Sequence, residues 1–437
     1  MPDITRRELL TLLAGGAAAA ALPGVLNAQA AAFAKRPNVL LIMADDLGYE
    51  CLGAYGSKQY QTPRLDALAA GGLRFGHCYA QPLCTPSRVQ IMTGQSNVRN
   101  YSQFGRLNKG EFTFAQMLKS AGYKTAVAGK WQLYAAGKGT HPTQAGFDEY
   151  CLWQLDRLGS RYWSPLICTN GKTVEHAADT YGPDVFCEFL CRFMTAHKDE
   201  PFFAYYPMVL THDPFEPTPH SARRTGANKQ KNFQDMVAYM DAVVGRLVAH
   251  LDKLHLRENT LILFTGDNGT GRAINSELNG RTIRGGKGST TEAGMRVPLL
   301  ANWPATIKAG GTCDDLVDFT DVLPTLAEAC GAAVPAGVTL DGRSFLPQLQ
   351  GRKGNPHEWL FCYYNPRPSG PSAPGVRFAF DRRWKLYDDG RLFDLSADVH
   401  EKSPAVSGDA SSESAAARTR LRKALDSMPR VGAKIGR

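Results

Sequence analysis

The sequence has no CxxC pair, no unbroken apolar stretch long enough to cross a bilayer, and no internal repeat. Its ten cysteines fall at irregular spacings, which argues against a zinc ribbon. A membrane-spanning helix needs about 20 consecutive apolar residues, and the longest soft run, Leu12 to Leu22, falls well short. The missing period excludes solenoids, collagen and coiled coils. The net charge is +9, yet no nucleic-acid-binding motif accompanies it. Part of the excess sits near the end, at Arg418, Arg420, Arg422, Lys423, Arg430, Lys434 and Arg437, a pattern that fits the solvated face of a basic helix. Steering of an anionic substrate is the functional alternative. With 437 residues, 43% of them hydrophobic and 21% charged, the chain has ordinary globular composition, enough for one large domain or a large one and a small one.

What is present begins at the N-terminus. Thr5-Arg6-Arg7-Glu8-Leu9-Leu10 precedes the soft apolar run, and small residues with Ala-x-Ala steps follow between Asn27 and Ala34. A twin arginine, a mild apolar segment and a cleavage zone read as a bacterial twin-arginine export signal over residues 1–34. That assigns a twin-arginine translocase as partner, a periplasmic or secreted location, and no stable membrane span after processing. The alternative is an N-terminal helix of the mature fold, but it would have neither cap nor polar face.

Beyond the leader, Asn38 to Met43 is continuously apolar and is followed by Asp45-Asp46-Leu47-Gly48. Such a run predicts a central parallel strand, and acidic residues at its C-terminal end stand where open α/β sheets place their sites. Thr62-Pro63 starts a helix with Thr as cap. A helix is expected over Phe112–Ala121, a strand over Thr125–Gly129 leading to Lys130, and a strand over Phe202–Val209 ending at Thr211-His212. A long amphipathic helix is expected over Phe233–Leu254, and a strand over Thr260–Thr265 leading to Asp267-Asn268. Cys187 and Cys191 should share one helix face and one core, and most of the other cysteines should be buried small hydrophobes. The alternation predicts a mainly parallel sheet covered by helices, in a catalytic domain of residues 36–355. Residues 365–375, rich in Pro, Ser and Gly, read as a linker or surface loop. Short antiparallel strands near Arg377–Phe380, Trp384–Tyr387 and Arg391–Leu395 then form a hairpin-bearing C-terminal subdomain, residues 356–437, with a basic tail.

Three groups of residues carry chemistry. The first is Cys84-Thr85-Pro86-Ser87-Arg88, with Met92-Thr93-Gly94-Gln95 after it. The second is the oxygen-rich set Asp45, Asp46, Asp267 and Asn268, all following predicted strands. Each acidic pair could be an ordinary turn; together they suit a hard cation, Ca²⁺ in preference to Mg²⁺. The third is basic: Gly129-Lys130-Trp131-Gln132-Leu133, and Arg284-Gly285-Gly286-Lys287-Gly288-Ser289 followed by Arg296-Val297-Pro298. Glycine on both sides of Lys287 suggests a loop built for close approach. A cysteine phosphatase is excluded, since its phosphate cradle needs a longer spacing between Cys and Arg than Thr85-Pro86-Ser87 provides.

The pentapeptide from Cys84 to Arg88 resembles the signature of the type I, formylglycine-dependent sulfatases, arylsulfatase-like members of the alkaline-phosphatase superfamily. The resemblance runs in order from about Asn38 to about Lys402. It implies an alkaline-phosphatase-like α/β/α sandwich with a mainly parallel central sheet and a small C-terminal antiparallel subdomain. It also implies that a separate formylglycine-generating maturation enzyme oxidises Cys84. The hydrated aldehyde is a gem-diol: one hydroxyl attacks sulfur, the alcohol leaves, and deprotonation of the other expels sulfate. By the same resemblance Asp45, Asp46, Asp267 and Asn268 bind Ca²⁺ together with residue 84, Lys130 and Lys287 hold the sulfate oxygens, Arg88 anchors the diol, and His212 protonates the leaving alkoxide. His220 is a weaker candidate and reads as a loop residue.

One position departs from the family. The second signature usually carries a histidine two residues after its lysine, where this chain has Gln132. That histidine takes a proton during sulfate elimination, and an amide has no useful basicity. Either another base serves, with His141 the next histidine in sequence, or elimination is slow, or the diol is placed differently. The expected activity is hydrolysis of sulfate esters in small molecules or glycans, most plainly sulfated carbohydrates. The alternatives are a phosphonate or phosphate ester hydrolase with the same nucleophile, and an inactive protein that binds sulfated glycans. Phe147–Trp153 and Arg161-Tyr162-Trp163 form an aromatic-rich insert, either a core or lid brace or a platform for a sugar face.

Overall fold

A strand whose residues are all apolar must be covered on both faces, and the chain provides for this around Asn38–Ala44. In the computed structural model, which describes residues 36–155, 157–222, 228–368, 375–405 and 412–430, all seven residues of this strand are buried. The export signal expected over residues 1–34 lies outside the described residues, as do Lys434 and Arg437 of the tail. In chain order the first strands are β1 (Asn38–Ala44), β2 (Leu73–Tyr79), β3 (Lys124–Lys130), β4 (Glu149–Trp153), β5 (Leu166–Thr169), β6 (Lys172–Glu175), β7 (Phe202–Pro207) and β8 (Thr260–Gly266). A hairpin, β9 (Asn275–Leu278) and β10 (Arg281–Arg284), stands apart; β11 (Arg296–Asn302) and β12 (Gly311–Asp318) return to the main sheet. The ten-stranded sheet runs β12-β2-β11-β8-β1-β7-β3-β4-β5-β6. Its centre, from β8 to β4, is parallel; β11 and the pair β5–β6 bring in antiparallel partners.

Alternation along β1 splits the interior in two. Val39, Leu41 and Met43 enter one core and Leu40, Ile42 and Ala44 the other. The longer helices are α1 (Pro63–Ala70), α2 (Cys84–Thr93), α3 (Phe114–Ser120), α4 (Gly182–Ala196), α5 (Lys229–Lys253), α6 (Val322–Cys330) and α7 (Ser412–Ser427). Buried residues of α2, α3 and α6 fill the first core, and those of α1, α4 and α5 fill the second. The result is the expected α/β/α sandwich. A second sheet, the meander β13 (Leu360–Tyr364), β14 (Val376–Phe380), β15 (Trp384–Tyr387) and β16 (Leu392–Asp394), packs one face against Tyr79, Met295 and Leu316 and the other against α7. Among the described residues no helix is long and apolar enough to cross a membrane.

Several expectations need correction. Thr62 precedes α1 but its side chain does not cap it. Its hydroxyl instead accepts from Gly53 N and donates to Asp66, while the buried Asp241 carboxylate of α5 accepts from the amides of Arg64 and Leu65. A carboxylate from a neighbouring helix thus satisfies the free N–H groups of the first turn. The long helix begins earlier than expected, at Lys229, because the Asn228 side chain accepts from Lys231 N. The aromatic stretch ending at Trp153 is not an insert: Glu149–Trp153 is β4, paired in parallel with β3, and Tyr150 and Trp153 are buried. The cysteines are as expected: none of the ten forms a disulfide, and eight are buried.

Candidate functional site

Strand register brings the two acidic pairs together. β1 and β8 run parallel with Ala44 opposite Gly266, so Asp45-Asp46 and Asp267-Asn268 leave adjacent strand ends side by side. Asp46 takes a left-handed backbone, φ 63°, and its N–H donates to Asp267 Oδ1 at 3.1 Å. Asn268 Nδ2 donates to Asp46 Oδ1 at 2.8 Å and to Gly269 O at 2.9 Å. With both amide protons committed, Asn268 Oδ1 is left buried with no donor facing it among the described residues.

Cations close around these oxygens. Lys130, the last residue of β3, grips Asp45 with Nζ at 3.0 and 2.8 Å from the two carboxylate oxygens. Cys84 opens α2, and Arg88 lies four residues on, on the same helix face. Arg88 donates to Asp267 Oδ2 and to Lys130 O, both at 2.8 Å, and its Nη2 lies 3.8 Å from Asp45 Oδ1. Lys287 Nζ reaches Asp46 Oδ2 at 2.7 Å. Its loop is tied to the segment before Cys84 by Gly288 N donating to Pro82 O at 2.8 Å. Close approach explains the glycine before it: a Cβ on Gly286 would lie 2.4 Å from a backbone carbon of Ala293.

The electrostatics follow from burial and proximity. Burial alone would raise Asp45, but Lys130, His212, Arg88 and Lys287 together hold it well below the usual carboxylate range. Burial and the adjacent Asp45 charge push Asp267 up to about 6, against Arg88 and Lys130. Lys287 would be lowered by burial, and Asp46 and Asp45 overrule this and raise it. Burial pushes the Cys84 thiol above its ordinary value, with Asp267 and Asp45 adding to the shift and Lys130 opposing it. The cysteine is therefore a poor thiolate nucleophile as it stands.

His212 follows β7 with Nε2 3.7 Å from Asp46 Oδ2. Its Nδ1 is 2.6 Å from the Asp213 carbonyl oxygen, which can only accept, so Nδ1 carries a hydrogen and Nε2 faces the acidic cluster. The acid and imidazole atoms that converge within 4.8 Å of one another are those of Asp45, Asp46 and His212, without Asp267 or Cys84. The donor chemistry favours the oxygen set: three carboxylates and an unpartnered buried amide carbonyl suit a hard cation better than an imidazole does. Gln132 sits at φ 55°, mostly buried, with Oε1 unpartnered. His141 is held in its own turn, Nδ1 2.8 Å from Thr143 Oγ1 and its ring edge-on to Tyr134 and Tyr150. His220 packs edge-on to Tyr239 of α5.

Two groups were not placed among the charges by the sequence, which set Arg161 only in an aromatic-rich insert. Arg161 stacks over the Trp153 ring at 3.9 Å and brings Nη1 to 3.8 Å from Asp45 Oδ2; Gln154, just after β4, has a buried unpartnered Oε1. Neither carries a motif; only a strand assignment for Glu149–Trp153 could have placed them. A cleft of about 720 Å³ lined by Tyr49, His77, Arg281 and Arg296 lies elsewhere, so chemistry rather than volume marks this site.

A mainly parallel α/β/α sheet with buried carboxylates and cations converging on a cysteine at a helix start defines a hydrolase of anionic esters. Residues 37–332 match the family model described as Sulfatase, and residues 287–429 match that of the N-sulphoglucosamine sulphohydrolase C-terminal region. The chain is 37% identical to arylsulfatase A of Homo sapiens over 398 residues, covering 82% of this chain and 75% of that one. It is 31% identical to N-acetylgalactosamine-6-sulfatase of Canis lupus familiaris, covering 79% of this chain and 70% of that one. Among solved structures, Ps i-CgsB in complex with k-i-k-neocarrahexaose superposes with a TM-score of 0.74 at 28% identity, covering 90% of this chain and 92% of that one. The chain belongs to the sulfatase family and is an enzyme of that class. Sulfatases generally use a formylglycine and a divalent metal.

The geometry generates one test at Gly129, whose φ is 119° and whose Cβ, if present, would lie 2.1 Å from Pro207 O. Gly129→Ala should cost more than about 1 kcal/mol of stability in a denaturant titration and cut activity sharply by displacing Lys130. Native stability and activity in this variant would show that the close approach of β3 to β7 does not set the lysine.

Proposed function

We propose that this sulfatase hydrolyses sulfate esters of carbohydrates through a formylglycine made from Cys84, at a site that holds Ca²⁺. The observation that carries the reading is the placement of Cys84 at the start of α2, buried among the charges of Lys130, Asp267, Asp45 and Lys287. Asp45, Asp46, Asp267 and the Asn268 carbonyl would hold the cation, which when bound neutralises sulfate charge and acidifies the attacking hydroxyl. Residue 84, oxidised and hydrated, supplies one hydroxyl that displaces the alcohol from sulfur and a second whose deprotonation expels sulfate.

The chain's own residues do the rest. Lys130 and Lys287, already desolvated and fixed on Asp45 and Asp46, stabilise charge on the sulfate oxygens without reorganising. Arg88 orients the nucleophile from one helical turn away. His212, with Nδ1 committed to Asp213 O, delivers a proton from Nε2 to the leaving oxygen. Gln132 orients but takes no proton, so elimination relies on another acceptor. The sugar-sulfate assignment is supported by the name of the relative acting on N-acetylgalactosamine 6-sulfate and by the solved neighbour bound to an oligosaccharide. Export through the twin-arginine route is proposed from Arg6-Arg7 and the segment after them.

Matured enzyme should turn over nitrophenyl sulfate many times and faster than nitrophenyl phosphate or a phosphonate ester, and chelation should abolish that turnover. A preference for phosphorus esters would reassign the substrate class, and binding of sulfated saccharides without turnover would make the protein an inactive lectin-like member. His212→Ala should slow a sugar sulfate by about 10²- to 10⁴-fold and an activated aryl sulfate far less, because nitrophenolate barely needs a proton. Equal losses on both substrates would make His212 a sulfate-binding or structural residue.

A further inference from the structure

Arg161 holds a position that the mechanism leaves unexplained. Trp153, the last residue of β4, is fixed opposite Lys130 by the strand register, and Trp131 N donates to its carbonyl at 3.3 Å. The guanidinium stacks on the Trp153 ring at 3.9 Å, so the ring settles its plane and depth. The next residue pins the loop in place: Tyr162 OH lies 2.5 Å from His212 O and 2.8 Å from Val209 O, and its one hydrogen is shared between these two carbonyls. Arg161 thus stands on a braced segment shared with the turn that carries His212.

Its nearest charge is already taken. Nη1 lies 3.8 Å from Asp45 Oδ2, the oxygen that Lys130 Nζ holds at 2.8 Å. At that distance it makes no hydrogen bond. Among the described residues Nη1 is buried without a hydrogen-bond partner, and Asp45 is its sole ion-pair contact. Around the site Asp45, Asp46 and Asp267 are paired with Lys130, Lys287 and Arg88; Arg161 also feels the Asp213 and Glu216 carboxylates, and its Nη1 faces inward. Its side chain is 15% exposed, but Nη1 itself is buried beside the fully buried Asp45 carboxylate.

We propose that Arg161 is a substrate ligand, donating from Nη1 to an oxygen of the sulfate held between Lys130 and Lys287. The assignment rests on the sulfatase reading above. Coulomb attraction scales with the ligand's charge, and the ester carries one negative charge where released sulfate carries two. Arg161 therefore grips the product more than the substrate, and it makes inorganic sulfate a stronger inhibitor.

The test uses matured full-length enzyme, nitrophenyl sulfate as substrate and inorganic sulfate as inhibitor. Arg161→Gln should raise KM about 10-fold and the inhibition constant for sulfate about 100-fold, the range expected for losing a hydrogen bond between charged groups. Arg161→Lys, which keeps the charge without the planar fork, should fall between wild type and Gln on both constants. It also serves if the Gln variant does not fold. A sulfate inhibition constant that moves no more than KM would overturn the proposal and leave Arg161 as a brace for Trp153 and the His212 turn. Wild-type enzyme without sulfate-ester turnover would overturn the sulfatase chemistry beneath it; wild-type turnover with unchanged inhibition in both variants would overturn the Arg161 assignment alone.

Discussion

The Asp45 carboxylate, fully buried and gripped by Lys130, is the interaction on which the rest of the structure depends. Removing both charges from water is costly, and such a pair contributes little net stability compared with an apolar replacement. Losing one partner would be far worse, since it would strand a charge in the interior. The sheet bears this cost at the C-terminal ends of β1, β3 and β8, three strands whose parallel arrangement collects their last residues at one edge. Arg88 then joins the acids from α2, binding Asp267 and the Lys130 carbonyl together, so the helix that carries Cys84 is locked to the strands that carry the charges.

This arrangement separates what fixes the fold from what fixes the chemistry. The two cores on either side of β1 are apolar and hold the strands in register. The charged layer sits at the strand ends, where the backbone is irregular: Asp46 and Gln132 take left-handed conformations, and so does Gly129. Unpartnered buried polar atoms gather here too, on Asn268, Gln132, Gln154 and Arg161. Other unpartnered buried atoms lie away from the cluster, on Ser57, Asn232 and Trp303 among others, so the charges beside these four, rather than the missing partners alone, point to a ligand.

The parts of this design that were legible in the sequence share one property: their signal is local. β1 and β8 are unbroken apolar runs ending in acids, and they form the central strands. The Cys84-to-Arg88 motif was found from its residue pattern, while the helix that carries it was seen only in the structure. β2 was not legible, because Leu73–Tyr79 mixes Arg74, Gly76 and His77 with apolar residues and gives no clean alternation. β12 was lost for the same reason, its first half being polar and partly exposed. Arg161 stayed hidden because its role depends on β4 lying beside β3, a contact between strands that no spacing encodes. The Thr62 cap failed likewise: the acceptor that serves α1 comes from Asp241, far along the chain.

The account turns on residue 84, and one measurement addresses it directly. Mass spectrometry of the peptide containing residue 84, taken from protein whose sulfate-ester turnover has been measured in the same preparation, reports the side chain of the active form. The account predicts an aldehyde in place of the thiol, with activity rising in proportion to the converted fraction. Full activity in protein that retains the unmodified Cys84 thiol would contradict it.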